Sequence, residues 1–181
     1  SIQVLLDGTV WLLTENDGAI RVVTLPEKNY TTKPEIYSTK SGLFPADHFY
    51  QVYQDRAGNN WLLTDNGLGM IRPGERQPVN YFVETQGKQD GMNQAFYAVR
   101  ECEDDICFTS DRGRIWCYQK KSGEFRLHEL PTKARITSIH AVGNDNTVVT
   151  TDSDGFFLSN LKTNKHIHYS PAVSYTHLTL P

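Results

Sequence analysis

Tyr53–Arg72, YQDRAGNNWLLTDNGLGMIR, carries the pattern that decides the fold. An alternating approach leads into a D-x-x-G turn (Asp55 to Gly58), then a short strand around Trp61 that ends on Thr64. An Asn66-Gly67 turn and a second strand follow. Weaker copies recur. Upstream, Asp7-Gly8, Trp11-Leu12-Leu13-Thr14 and Asn16-Asp17-Gly18 stand in the same order. Downstream come Ile106-Cys107-Phe108-Thr109 with Asp111-Arg112-Gly113, and Val148-Val149-Thr150-Thr151 with Asp154-Gly155. The threonines Thr14, Thr64, Thr109 and Thr151 are 50, 45 and 42 residues apart. Self-similarity at that period, with only strand and turn signals inside it, predicts one four-stranded unit per repeat, as in propeller blades.

The strand pattern fills out four units. Blade 1 covers residues 1–40, blade 2 residues 41–89, blade 3 residues 90–131 and blade 4 residues 132–172. The fold class is therefore all-β: about four consecutive four-stranded antiparallel blades in an open arc. Nowhere do a dozen residues show helical apolar spacing. A lone four-stranded meander cannot bury both of its faces, and stacking blades hides them. Trp11, Trp61, Ile106 and Val148 are read as equivalent wedge positions between blades, and the recurring Thr and Gly (Gly18, Gly67, Gly113, Gly155) as turn formers. Val173–Pro181, VSYTHLTLP, matches the translation of a transposase-end sequencing adapter and is read as a non-native tail. The chain is expected to be part of a larger propeller.

Composition excludes some functions. A net charge of -3 with singly scattered lysines and arginines gives no basic face for nucleic acid. No run approaches the ~18 apolar residues of a membrane span. No cofactor motif is present.

A meander fixes which loops share a side of each blade. The b–c turns and the d-to-a links lie on one side, the a–b and c–d turns on the other. The first side gathers Asp65, Asn66 and Arg112 with Asp47, His48, Asn93, Gln94 and Arg135, which form the candidate ligand-binding set, because loops on a rigid scaffold usually carry recognition.

At these residues the chain resembles the two-component regulator propeller repeats. Ser41-Gly42-Leu43 is similar to the family's lead-in, Asp55–Gly58 to its acidic turn, Asn59–Thr64 to its Trp-bearing strand and Asn66-Gly67-Leu68 to its closing turn. Leu13 and Leu63 depart from it, standing where the family usually has Gly, and blades 3 and 4 lack the strand-b Trp. The resemblance implies a sensor region of a bacterial hybrid histidine kinase, periplasmic, homodimeric in the parent, and responsive to oligosaccharides. Its partners would be further blades and a β-sandwich of the parent chain, with the kinase elsewhere in that chain. A segment of this kind needs no catalytic residue. The alternatives are a protein-interaction scaffold, a propeller attached to another output such as a transcription factor, and, remotely, a sialidase-like glycosidase. For the last, Thr109–Trp116 fits one Asp-box, but no pair of carboxylates departs from the repeat as glycoside hydrolysis requires.

Cys102, Cys107 and Cys117 have no recognised zinc spacing. Cys107 and Cys117 are equidistant from Arg112, so a simple hairpin sets all three cysteines side by side across the first three strands of the blade; they are read as three semi-buried thiols filling one blade interface, and in an oxidising periplasm one pair can form a disulfide and leave an odd thiol. His166 and His168 share a strand face and are expected to be solvated rather than metal-binding.

Overall fold

The computed structural model describes residues 1–25, 30–31, 33–82, 94–102, 104–143 and 146–170. The expected tail at 173–181 lies outside them. Four meanders account for nearly all of the secondary structure. The first sheet joins β1 (Ile2–Val4), β2 (Val10–Leu13), β3 (Ala19–Val22) and β6 (Glu35–Tyr37); a small hairpin of β4 (Thr24–Leu25) and β5 (Tyr30–Thr31) lies between β3 and β6 in sequence. The second contains β7 (Phe49–Gln54), β8 (Asn60–Thr64), β9 (Leu68–Ile71) and β10 (Val79–Tyr81). The third is β11 (Phe96–Glu101), β12 (Asp105–Ser110), β13 (Arg114–Gln119) and β14 (Phe125–Glu129). The fourth is β15 (Ile136–Val142), β16 (Asn146–Thr151), β17 (Phe156–Asn160) and β18 (Lys165–Tyr169). The paired strands run antiparallel. Among the described residues no helix is long and apolar enough to cross a membrane.

The last strand of blade 2 is Val79–Tyr81, and residues 83–93 of that blade and the next lie outside the described set. The β4–β5 hairpin was not anticipated, because nothing in the repeat pattern marks it.

The chain forms two compact units, Ser1–Phe96 and Tyr97–Pro181. In the first, Trp11, Leu13, Ala19 and Tyr37 of the first sheet pack with Phe44, Phe49, Val52, Leu62 and Ile71. In the second, Cys107, Ile115, Cys117 and Leu130 pack with Ile136, Ile139, Val149 and Phe157. The Val, Leu, Ile and Phe side chains among these contribute on the order of 2 kcal/mol each when fully buried. Strand alternation gives every sheet a second face. That of the first sheet carries the row Ile2–Leu12–Ile20–Ile36, with Ile2 and Ile36 exposed.

The wedge positions need one correction. The last paired residues before the b–c turns are Leu13, Leu63, Thr109 and Thr150. Two positions back stand Trp11, Trp61, Cys107 and Val148, so Cys107 and not Ile106 is the third wedge. It is bonded to Cys117, the residue directly opposite on β13. A disulfide thus fills the interior volume that tryptophan fills in the first two blades. The same register makes Ser110, not Thr109, the counterpart of Thr14, Thr64 and Thr151. Ser110 lies three residues before Gly113, as Thr64 does before Gly67. The hydroxyls of Thr14, Thr64 and Thr151 donate to the carbonyls of Gly18, Gly67 and Gly155 at 2.6, 2.8 and 2.9 Å. That of Thr109 instead donates to the Ile136 carbonyl at 3.3 Å.

A main-chain staple recurs at these turns. Gly18 N–H donates to the Asp47 carbonyl, Gly67 N–H to that of Gln94 and Gly113 N–H to that of Ala134, each at 2.9 Å. Gly18 has φ +83°, and a Cβ there would sit 2.1 Å from the Tyr37 carbonyl oxygen. Only glycine fits that approach.

Candidate ligand-binding face

Within the first unit, the b–c turn of the first sheet and the link from β6 to β7 enclose an open hollow of about 720 Å³. Asn16, Asp17, Ser38, Thr39, Lys40, Ser41 and Asp47 supply hydroxyl, amide and charged groups, and Ile36 supplies an apolar patch. The link holds its shape by its own hydrogen bonds. Ser38 and Ser41 exchange bonds, each hydroxyl accepting from the other's main-chain N–H at 3.0–3.1 Å. Asp47 accepts from the Thr39 N–H at 2.9 Å and from its hydroxyl at 2.5 Å. The Lys40 ammonium is exposed and has no partner among the described residues.

An open concavity that sets hydroxyl, amide and charged groups beside apolar surface can meet a ligand that offers hydroxyls at its rim and C–H groups on its face.

The residues singled out from sequence fall into three situations. Asp47 lines the hollow and also clamps its wall. His48, Asp65, Asn66 and Gln94 surround the next turn of the same unit. There the Asn66 side chain donates to the Pro45 carbonyl at 2.6 Å, and the Asp65 N–H donates to that of His48 at 3.2 Å. The His48 ring lies 4.5 Å from Tyr50, and Asp65 is exposed. Gln94 is only 4% exposed, so its side chain is not presented to solvent as a loop position would suggest. Asn93 lies outside the described residues.

In the second unit, Arg112 is exposed at a turn apex with φ +57°. Arg135 stacks over Tyr97 at 5.0 Å and pairs with Asp152 at 3.5 Å, while the Tyr97 hydroxyl donates to Asp111. The sequence reading missed Ser38–Ser41, whose signal was a hydroxyl-rich run directly after the last strand of the first blade.

Among the described residues no group of His, Cys, Asp and Glu could hold a metal ion. His166 and His168 share a face of β18 with Phe157 and Ser159 as neighbours. His168 is not simply solvated: its ring stacks on Phe157 at 4.4 Å, and Nε2 meets the Asp154 carboxylate at 3.2 Å.

Several solved structures share this arrangement. The extracellular domain of a hybrid two-component system from B. thetaiotaomicron aligns over 94% of this chain and 22% of its own length, at 18% identity and a TM-score of 0.73. A second such domain from the same organism aligns over 94% and 22%, at 13% identity and a TM-score of 0.63. A streptogramin B lyase aligns over 94% and 53%, at 16% identity and a TM-score of 0.66. The fold is that of β-propeller blades. At these identities the likeness shows the propeller fold alone, and the chain spans about a fifth of the length of the two-component neighbours. No protein-family model matches the chain, and no curated protein matches it.

Proposed function

We propose that this propeller segment is part of the extracytoplasmic sensor region of a bacterial hybrid two-component regulator, and that it responds to oligosaccharides. The observation that carries the reading is the alignment, over nearly the whole chain, with extracellular domains of hybrid two-component systems. The hydroxyl-lined hollow with Ile36 at its side supports a sugar as the ligand class.

The segment itself is non-catalytic. A ligand that binds one arrangement of the sensor more tightly shifts the signalling equilibrium by that difference in affinity, and no bond is made or broken. The kinase chemistry belongs to the remainder of the parent chain, together with a β-sandwich, a membrane helix and a homodimer contact.

Reading the gene on either side of this segment tests the first part. A β-sandwich, one membrane helix and a kinase core support the proposal; a direct run into a helix-turn-helix domain sinks it. The ligand class is tested by melting the complete propeller with a panel of neutral oligosaccharides. Binding to the folded state alone raises the melting temperature, and a flat response across the panel counts against sugar sensing.

A further inference from the structure

The edge of the second unit formed by its a–b and c–d turns holds a second concavity, a cavity of about 230 Å³ between the third and fourth sheets. Its wall includes Cys102 and the Cys107–Cys117 disulfide, and four basic side chains converge on it: Arg100, Arg126, His128 and Lys162.

Arg100, Arg126 and His128 have donor capacity to spare. Arg100 on β11 donates one guanidinium nitrogen to the Thr147 hydroxyl, while its Nε is buried without a partner. Arg126 and His128 are two residues apart on β14, so they share a face. Neither has a hydrogen-bond or ion-pair partner among the described residues. The opposing charges are fewer. Asp104 is engaged by Lys121 at 3.0 Å, which leaves Asp105. Past Arg126, His128, Leu161 and Lys162 the cavity adjoins a groove of about 580 Å³ that shares these four residues, so a group larger than a single ion has a way in.

We propose that this cavity binds a small oxyanion group, a sulfate, a phosphate or the carboxylate of an acidic sugar, with Arg100 and Arg126 as the principal donors and His128 as a third. The reading does not depend on the hollow in the first unit or on the sensor assignment. Guanidinium groups suit such oxygens because they present several donors in a fixed plane and keep their charge. Partial enclosure strengthens each charge-assisted bond relative to bulk water.

His128 reports occupancy. Burial, with Arg126 beside it, holds this imidazole below its ordinary value; Asp105 acts in the opposite sense, and His166 adds to the depression. An anion bound there must raise it.

The experiment titrates the whole chain with sodium sulfate, sodium phosphate and sodium glucuronate, each against sodium chloride at matched ionic strength. Binding is read by calorimetry and by the His128 ring signals in NMR. Saturable binding by any of the three, with an upward shift of the His128 titration and an affinity about tenfold weaker in Arg126→Gln, supports the site. Which anion binds more tightly separates an inorganic ion from a sugar acid. Arg126 is exposed, so the variant should fold, and His128→Gln provides a second check. No saturable binding, or binding that Arg126→Gln leaves unchanged, overturns it.

Discussion

Trp61 donates its indole N–H to the Asp55 carboxylate at 2.9 Å, inside a turn that this aspartate organises. The same carboxylate accepts from the main-chain N–H groups of Ala57 and Asn59 at 3.0 and 2.9 Å, and from the Asn59 side chain at 2.9 Å. Asp55 is 5% exposed. Replacing it with alanine strands several donors, the buried indole among them. We expect Asp55→Ala to lose about 3 kcal/mol, measured by urea denaturation.

The first blade gives the contrast. Asp7 reaches the Thr9 N–H at 2.9 Å, but the Trp11 indole nitrogen is buried with no partner. Asp7 lies four residues before its tryptophan, whereas Asp55 lies six before. Trp61→Phe should therefore cost about 1 kcal/mol more than Trp11→Phe, the worth of one hydrogen bond. In an Asp55→Ala background that excess should vanish, and a double-mutant cycle reads it directly.

The Cys107–Cys117 bridge closes a short loop, with a sequence separation of 10. Constraining a loop of that size in the unfolded chain is worth about 2–3 kcal/mol. Thermal melts with and without reductant should differ accordingly. Iodoacetamide applied under denaturing conditions should label Cys102 alone without reductant and all three cysteines with it.

Tyr37 is pushed up to about 12, first by burial and then by the neighbouring Glu35 carboxylate. Its hydroxyl is held by Glu35 at 3.1 Å and the Arg76 carbonyl at 3.0 Å. Between pH 10 and 12 the unfolded chain releases this proton while the folded chain keeps it. Stability should fall across that window, and Tyr37→Phe should flatten the fall. Absorbance at 295 nm, compared between the parent and Tyr37→Phe, would show the late ionisation of this tyrosine.

In the hollow, the Lys40 ammonium makes no contact that the fold needs. Lys40→Met should leave the unfolding free energy within about 0.5 kcal/mol of the parent while weakening any ligand-induced rise in melting temperature. An unchanged shift would remove Lys40 from the site.

How much of this was legible depended on whether local chemistry or register decided the matter. Asp-Gly and Asn-Gly turns mark strand ends by backbone geometry, so the four meanders and most boundaries can be read directly. The equal distance of Cys107 and Cys117 from Arg112 sets them opposite each other, since a hairpin pairs residues symmetrically about its turn, but it does not say that they bond: the three thiols expected are one thiol and a disulfide. The wedge in the third blade could not be read by matching threonines. β12 runs one residue beyond Thr109, and that single step moves every side chain to the other face. Gln94 is misleading for a different reason: its link position is exposed by pattern, yet its side chain turns inward. Ser38–Ser41 were overlooked because small hydroxyl residues after a strand resemble an ordinary turn.

The Gly18, Gly67 and Gly113 staples use nothing but main-chain atoms on both sides. Any residue at 47, 94 or 134 presents the same carbonyl, whatever its side chain. The staple at these links is therefore indifferent to side-chain identity. Substitution there should leave the staple itself in place, so its cost should come from the side chain alone: loss of the Thr39 clamp at Asp47, a disturbed buried position at Gln94, and neither at Ala134.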